Sequence, residues 1–356
     1  MTGRLAERSA WLVGAAGLIG SAVVWVVSPV SFPHAWLAAL VFWLGWPLGS
    51  MALLLLHALT GGRWGLAIRP QLACGVATLP MLLPAALPVL FVLQALYPWM
   101  RADVAAGLTN RFYLNVPFFC ARCVAYLIIW LGLAVVVLYA LRQKNPQPLL
   151  YRVAPPGLIL LALTVTFAAI DFTLSMDPHF ASSVYGILVA CEAVLLALSF
   201  ALLGVSSMRA RIEPDSARVL GRLLLALLIL WAYLDFMQIL IVWNSDLPNE
   251  AAWYLPRLLG GWAALAILIA GVHFLLPFLA LIWPQVQRSQ TALRALAALL
   301  VVTEVPRAWW LVIPAAGRPL SALDALPMIA ILGIAIGMAL RALRSTWLLP
   351  AAGAHG

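Results

Sequence analysis

Polar positions along the chain are gathered into short clusters. Between them run ten stretches that are apolar over about twenty consecutive positions, the length a helix needs to cross the hydrocarbon core of a bilayer. They lie at 10–30, 36–59, 71–97, 117–141, 153–175, 181–207, 219–243, 257–283, 291–313 and 321–343. The pattern predicts an all-α integral membrane protein of ten transmembrane helices in one polytopic domain, 1–356. The first stretch follows Arg4 and Arg8, as in a signal peptide, but it exceeds an apolar signal core of about 7–15 residues and is read as a retained span. In the third, Pro80, Pro84 and Pro88 recur at i, i+4, i+8, which frees backbone carbonyls and predicts a kink. No span reads as broken at its midplane by Gly and Pro. Gly45/Gly49 and Gly333/Gly337 have the spacing of close helix packing.

Composition narrows the class. The chain is 65% hydrophobic and 9% charged, against roughly 25% charged in a soluble domain. A disordered chain is excluded, because disorder needs low hydrophobicity. The net charge of +9 comes from 21 Lys and Arg over 12 Asp and Glu. It is not read as nucleic-acid binding, because Lys and Arg mark the cytoplasmic loops of membrane proteins. Fifteen of them, Arg209 and Arg211 included, fall on the side of the N-terminus. Four, Arg101, Arg111, Arg257 and Arg318, fall on the other, and Arg122 and Arg307 lie inside spans. The asymmetry predicts that both termini are cytoplasmic. The longest connections, 97–117 and 243–257, are then outer, the second carrying Asp246 and Glu250. Trp99, Trp243, Trp253, Trp309 and Trp310 read as an interfacial belt.

Redox and metal chemistry find little support. Cys120 and Cys123 form a C-x-x-C with no second pair, and Cys74 and Cys191 stand alone, so neither a zinc site nor an iron–sulfur cluster is expected. Of His34, His57, His179, His273 and His355, only His57 and His273 fall within spans, at depths that match poorly for a bis-histidine haem. The chain is expected to bind no metal and no redox cofactor of its own.

The informative residues are ionisable groups within spans: Arg122, Asp171, Glu192, Asp235, His273, Glu304, Arg307 and, near a span end, Asp324. A charge at the bilayer centre costs several kcal/mol, so such groups are paired or functional. At about 1.5 Å per residue, Asp171 lies about 27 Å and Asp235 about 24 Å from the inner start of their spans. Arg122, Glu304 and Arg307 share this outer half, with Glu192 and His273 deeper. The distribution predicts an acid–base cluster that is either a proton path or a static ion-pair network. Glu304 and Arg307, at i, i+3, can pair with each other, and Arg122 can neutralise Asp171 or Asp235. Proton-path candidates are Asp171, Asp235, Glu192, His273, Glu304 and, in an outer loop, His179, with Arg122 and Arg307 as charge partners. Trp231, Asp235 and Gln238 share a helix face and suit a quinone-facing surface. Asp177 before Pro178 predicts a turn that caps the next helix, the alternative being a proton relay at His179.

Spans 2–5 and 6–9, covering 36–175 and 181–313, read as two four-helix bundles in the same orientation, with spans 1 and 10 peripheral. Arg111-Phe-Tyr-Leu enters the fourth span and Trp253-Tyr-Leu-Pro the eighth, and Asp171 and Glu304 would take equivalent places.

Two stretches carry a family resemblance: TVTFAAIDFTLSMDPHFASSVYG from Thr164 to Gly186, and WAYLDFMQILIVWNSDLPNEAAWYLPR from Trp231 to Arg257. Both resemble the quinone-binding-type membrane subunits of bacterial alternative complex III, a quinol:electron-acceptor oxidoreductase. The F subunit is the nearest in kind, within the polysulfide-reductase membrane-anchor (NrfD-like) superfamily. The resemblance covers roughly residues 105–315. It implies ten helices with two four-helix bundles, and a place in the bacterial cytoplasmic membrane. It implies assembly with a sister NrfD-like membrane subunit, a multi-haem cytochrome c subunit and an iron–sulfur subunit. Haem c and iron–sulfur clusters would belong to those partners, quinol or quinone would be the ligand, and this chain would take part in coupling quinol oxidation to proton movement. Asp171 corresponds to the acid of a D-[FW]-x-x-S-x-[DE]-P-H stretch ending at His179, and Asp235 and Gln238 fall in W-A-Y-x-x-F-x-Q. Asp177 stands where relatives often have Glu, Phe172 and Phe180 where they often have Trp, and Ser245-Asp246 replaces Gly-Asn. A stand-alone secondary transporter and a purely structural anchor are the alternatives.

Overall fold

The computed structural model describes residues 2–108, 110–207, 212–245 and 248–345. Arg209, Arg211, Asp246 and His355 lie outside the described residues. Among those described, ten helices are long and apolar enough to cross a membrane: α1 Gly3–Val27, α2 Phe32–Thr60, α3 Arg63–Phe91, α4 Val116–Leu141, α5 Gln147–Met176, α6 Tyr185–Val205, α7 Pro214–Asn244, α8 Gly260–Leu281, α9 Gln290–Ala316 and α10 Ala322–Arg344. The protein is an all-α, multi-pass integral membrane protein. The start of α1 and the end of α10 lie at one end of the bundle, where Glu7 and Arg344 pair at 2.7 Å. This is called the termini end below, and its opposite the far end.

Helices α3, α5 and α7 start five to eight residues before the apolar stretches that announced them. Hydropathy marks where hydrocarbon begins, whereas the backbone ladder continues through a polar first turn. Two spans are irregular: α3 at the prolines that predicted a kink, and α8 where no break was expected. In α3 the helix stops at Val76 and resumes through a 3₁₀ turn, Leu79–Met81. Pro80 supplies no N–H to the carbonyl of Val76 and biases Leu79 away from helical dihedrals. Thr78 stabilises the break: its hydroxyl donates to Gly75 O at 2.8 Å and accepts from Trp43 Nε1 at 3.3 Å. In α8, Ile269–Leu275 is π-helical and contains His273. Pro277 lies four residues beyond His273, where its ring would meet the His273 carbonyl, and a π turn relieves that clash.

Helices α2 and α6 pack against each other at the centre. Helices α5 and α9 each touch both, α4 lies on α5, α8 on α9, α3 on α2 and α7 on α6, so the contacts of α2–α5 recur in α6–α9. Helix α1 is peripheral and rests on α10, but α10 itself packs on α2 and α3 and is half buried. The glycine pairs serve two different contacts. A Cβ at Gly49 would collide with the Ala193 carbonyl oxygen across α2/α6, and a Cβ at Gly333 would meet the backbone of Gly14 across α1/α10. Gly49→Val is therefore expected to destabilise the whole bundle, by about 1–3 kcal/mol or more. Gly333→Val should free α1 and leave the core intact. Thermal unfolding in one detergent, with limited proteolysis of α1, separates the two results.

Candidate functional site

The intramembrane charges form two separate clusters, both in the far half of the bundle. The first joins α4 to α5. Arg122, Tyr126 and Trp130 recur every fourth residue and so share one face of α4. Arg122 Nε and Nη2 donate to Asp171 Oδ2 and Oδ1 at 2.9 and 2.7 Å, and the Tyr126 hydroxyl donates to Oδ2 at 2.6 Å. Arg122 Nη1 donates to Tyr113 O at 3.0 Å, and the guanidinium lies 3.8 Å from the centre of the Tyr113 ring. Asp171 is fully buried. Arg122 thus selects Asp171 and not Asp235. A fork-on-carboxylate pair with a third donor is geometrically tight and saturates the acid.

The second cluster lies among α6, α7, α8 and α9. Arg307 Nε donates to Glu192 Oε1 at 3.0 Å, and its Nη2 reaches Glu192 Oε1 at 3.0 Å and Asp235 Oδ1 at 2.7 Å. Trp231 Nε1 donates to the same Glu192 oxygen at 2.9 Å. The expected i, i+3 pairing of Arg307 with Glu304 does not form. Two acids on other helices take the guanidinium, and Glu304 turns to His273, whose Nε2 lies 3.6 Å from Oε2. His273 Nδ1 lies 2.7 Å from the Thr303 hydroxyl, which itself donates to Leu299 O at 2.8 Å. Thr303 has one hydrogen, so Nδ1–H must be the donor to it. Neutral His273 then turns a bare Nε2 toward Glu304, and that nitrogen has no hydrogen-bond partner among the described residues. A carboxylate facing an unprotonated nitrogen repels it, and a single proton between them turns the contact into attraction.

Both buried acids line a cavity of about 60 Å³ enclosed by α2, α5, α6 and α9. By volume that is room for a few water molecules. Thr173 also lines it, and its hydroxyl is 2.6 Å from that of Tyr185, at the far-end start of α6. Asp235 faces elsewhere, into a lipid-side groove of about 640 Å³ between α7 and α8.

The other sequence candidates sit as follows. Gln238 is buried, accepting from Ser182 Oγ at 2.9 Å and donating to the Tyr254 hydroxyl at 2.9 Å. Asp177 makes a turn by accepting from His179 N at 3.2 Å, but α6 starts only at Tyr185, so it does not cap that helix. His179 is exposed at the far end, apart from both clusters. Asp324 accepts two bonds from Arg318, at 2.6 and 2.8 Å, and caps its own turn with Ser321. The tryptophan belt is only partly interfacial: Trp243 is exposed, whereas Trp99, Trp253 and Trp310 are buried. The threonines Thr164 and Thr303 are the matching positions of the two halves. Each bonds a carbonyl four residues back and a ring nitrogen on the preceding span, Trp130 Nε1 at 2.8 Å or His273 Nδ1 at 2.7 Å. On that register Trp310, not Glu304, takes the place of Asp171.

Sequence reasoning passed over Tyr126, Thr303, Tyr185, Tyr254 and Arg257. Arg257, beyond the spans, is buried and pairs with no carboxylate among the described residues. Its Nη1 and Nη2 donate to Trp253 O and Leu311 O at 2.6 and 2.7 Å, under the Trp253 ring. Burial pushes its pKa down to about 9, and the two carbonyls and the ring face oppose that by favouring the charged form. Burial likewise raises the Tyr254 phenol well above its ordinary range, so it stays protonated. For Tyr126 the i+4 spacing from Arg122 was the available signal. For Tyr254 and Arg257, which act across loops, none was. Among the described residues no three His, Cys, Asp or Glu side chains converge to hold a metal ion. Cys120 is exposed and Cys123 half-buried, both free.

No protein-family model matches the chain, and no curated protein matches it.

Proposed function

We propose that the chain is an integral membrane subunit of a quinol:electron-acceptor oxidoreductase complex of the alternative complex III type, and that it carries protons through the α6–α9 cluster. The observation that carries this reading is the Glu304–His273 pair, whose facing oxygen and nitrogen need one exchangeable proton, beside a cavity sized for water and bounded by a second carboxylate. Among the described residues Arg307 is the one guanidinium paired with Glu192 and Asp235, and none is paired with Glu304. A proton held at Glu304 and His273 removes one of the two excess negative charges, each of which is costly in hydrocarbon. Glu304 and Thr173 both line the water-sized cavity, and the Thr173 hydroxyl contacts that of Tyr185. In this reading electron transfer falls to partners: a sister membrane subunit, a multi-haem cytochrome c and an iron–sulfur protein. The basic termini end faces the cytoplasm of a bacterium in this reading. The saturated Arg122–Asp171 cluster favours a structural role for the first half. The midplane break in α3, a transporter-like feature, is braced by Thr78, which donates to Gly75 O and accepts from Trp43 Nε1.

Native purification tests the assembly. A c-type haem spectrum, an iron–sulfur protein and a second polytopic chain are expected to accompany this one, and a colourless chain without partners in crosslinked membranes would remove the reading. Glu304→Gln is expected to leave assembly intact and to slow proton transfer about a hundredfold, the scale of one positioned acid–base group. Full proton yield per quinol in that variant would refute the route.

A further inference from the structure

The proton route leaves one buried cation without a task. Arg257 is 2% exposed. Its Nη1 and Nη2 donate to the carbonyls of Trp253 and Leu311, and its Nε has no partner among the described residues. Carbonyls hold a guanidinium without cancelling its charge. A fixed positive charge therefore sits on the far-end connection between α7 and α8. Leu311 also lines the water-sized cavity with Glu192 and Glu304, so the guanidinium lies just beyond the wall of that cavity. On its other side is the half-buried Asp177 of the α5–α6 connection, within electrostatic reach of Arg257. The two connections are clasped to each other at the far end. Phe180 stacks on Trp253 with ring centres 4.7 Å apart, and Ser182 reaches Tyr254 through Gln238. Trp310 links the two arginines: its Nε1 donates to Arg257 O at 3.2 Å, and its ring lies 5.2 Å from the Arg307 guanidinium. With one proton held, Glu192, Asp235, Glu304 and Arg307 still carry one excess negative charge. Arg257 supplies a positive charge to offset it.

We infer that Arg257 is the electrostatic gate of the proton route, a fixed cation between the cavity and the far-end surface that repels protons entering from outside. The inference rests on the proposed route through Glu304 and adds the regulation of its far end. A positive charge at the mouth of a narrow polar path raises the barrier to any cation that passes it. Here it also favours the charged form of the acids behind it. Arg257 carries no proton along the route, so it is a positioning residue and acts through its field. A side chain needed only to cap Trp253 and Leu311 could be any donor of similar reach. A gate needs the charge itself.

The test uses the purified full chain in vesicles of phosphatidylcholine and phosphatidylglycerol. Proton influx under an imposed potassium diffusion potential is read with trapped pyranine, and the unfolding midpoint is read alongside. Arg257→Gln keeps a donor for one carbonyl and removes the charge. Influx should rise about tenfold, the scale of one unit charge acting over roughly 10 Å in a protein interior. Arg257→Lys keeps the charge and should stay within about twofold of the parent. Asp177→Arg leaves the Arg257 bonds untouched and adds positive charge at the outer turn. It should lower influx about threefold, a smaller effect because water and salt screen that turn. Equal influx in the Gln and Lys variants, or a rise in Asp177→Arg, marks a loosened clasp and overturns the gate. Arg257→Gln combined with Glu304→Gln should return influx to the parent level. Influx that stays raised in that double variant overturns the route through Glu304 and upholds the charge barrier. Unchanged influx in Arg257→Gln, while Glu304→Gln still slows proton transfer, overturns the gate alone.

Discussion

Arg307→Met is expected to be the most damaging single change in this chain. The guanidinium is buried, bonded to Glu192 at 3.0 Å and to Asp235 at 2.7 Å, and flanked by the rings of Trp231 and Trp310 at 5.5 and 5.2 Å. Removing it leaves two carboxylates in the bundle with no cation in contact. Breaking a buried pair in this way costs about 3–5 kcal/mol, because the charge left behind stays desolvated. The unfolding midpoint in detergent should fall steeply and the yield of monodisperse protein with it. Arg307→Met combined with Glu192→Gln and Asp235→Asn should recover most of the loss, since no charge is then stranded. Proton transfer should stay lost in that triple variant. A single Arg307→Met variant as stable as the parent would show that the guanidinium does not hold these acids.

Asp171→Ala comes next, for the mirror reason. It strands the buried Arg122 and removes the acceptor of Tyr126, again at about 3–5 kcal/mol. Asp171→Asn should cost less, because an amide oxygen still accepts one bond. The double variant Arg122→Met with Asp171→Leu should approach the parent in stability, as apolar replacements of buried ion pairs commonly do. Proton yield in that double variant is expected to be unchanged, because both carboxylate oxygens are already committed to fixed donors. A fall in proton yield with assembly and stability retained would return Asp171 to the proton route. Read together, the two experiments assign one cluster to stability and the other to traffic.

The contrast between the clusters shows how far residue types reach. Arg122, Asp171, Glu192, Asp235, His273, Glu304 and Arg307 stand out in the sequence because charges within apolar stretches are few. Their grouping toward one end follows from counting residues along each span. Which residue meets which does not. Arg307 and Glu304 are neighbours along α9 and could pair locally. Yet the partner of Arg307 is Glu192, 115 positions away in the chain, because α6 presents that acid on the face packed against α9. Arg122 had two acids at suitable depth, and the packing of α4 on α5 decides for Asp171.

The sequence by itself determined the ten spans and the all-α membrane class. It also marked the glycine contacts and the proline-rich third span, because each rests on local composition or on spacing along a single helix. Tertiary structure alone decided that α2 and α6 form the centre and that α10 is not peripheral as α1 is. It alone brought Glu304 to the nitrogen of His273 and Asp235 to a groove. The physical reason is that burying a charge demands a partner without naming it. The choice is made by which helix faces meet, and that depends on packing summed over the whole bundle.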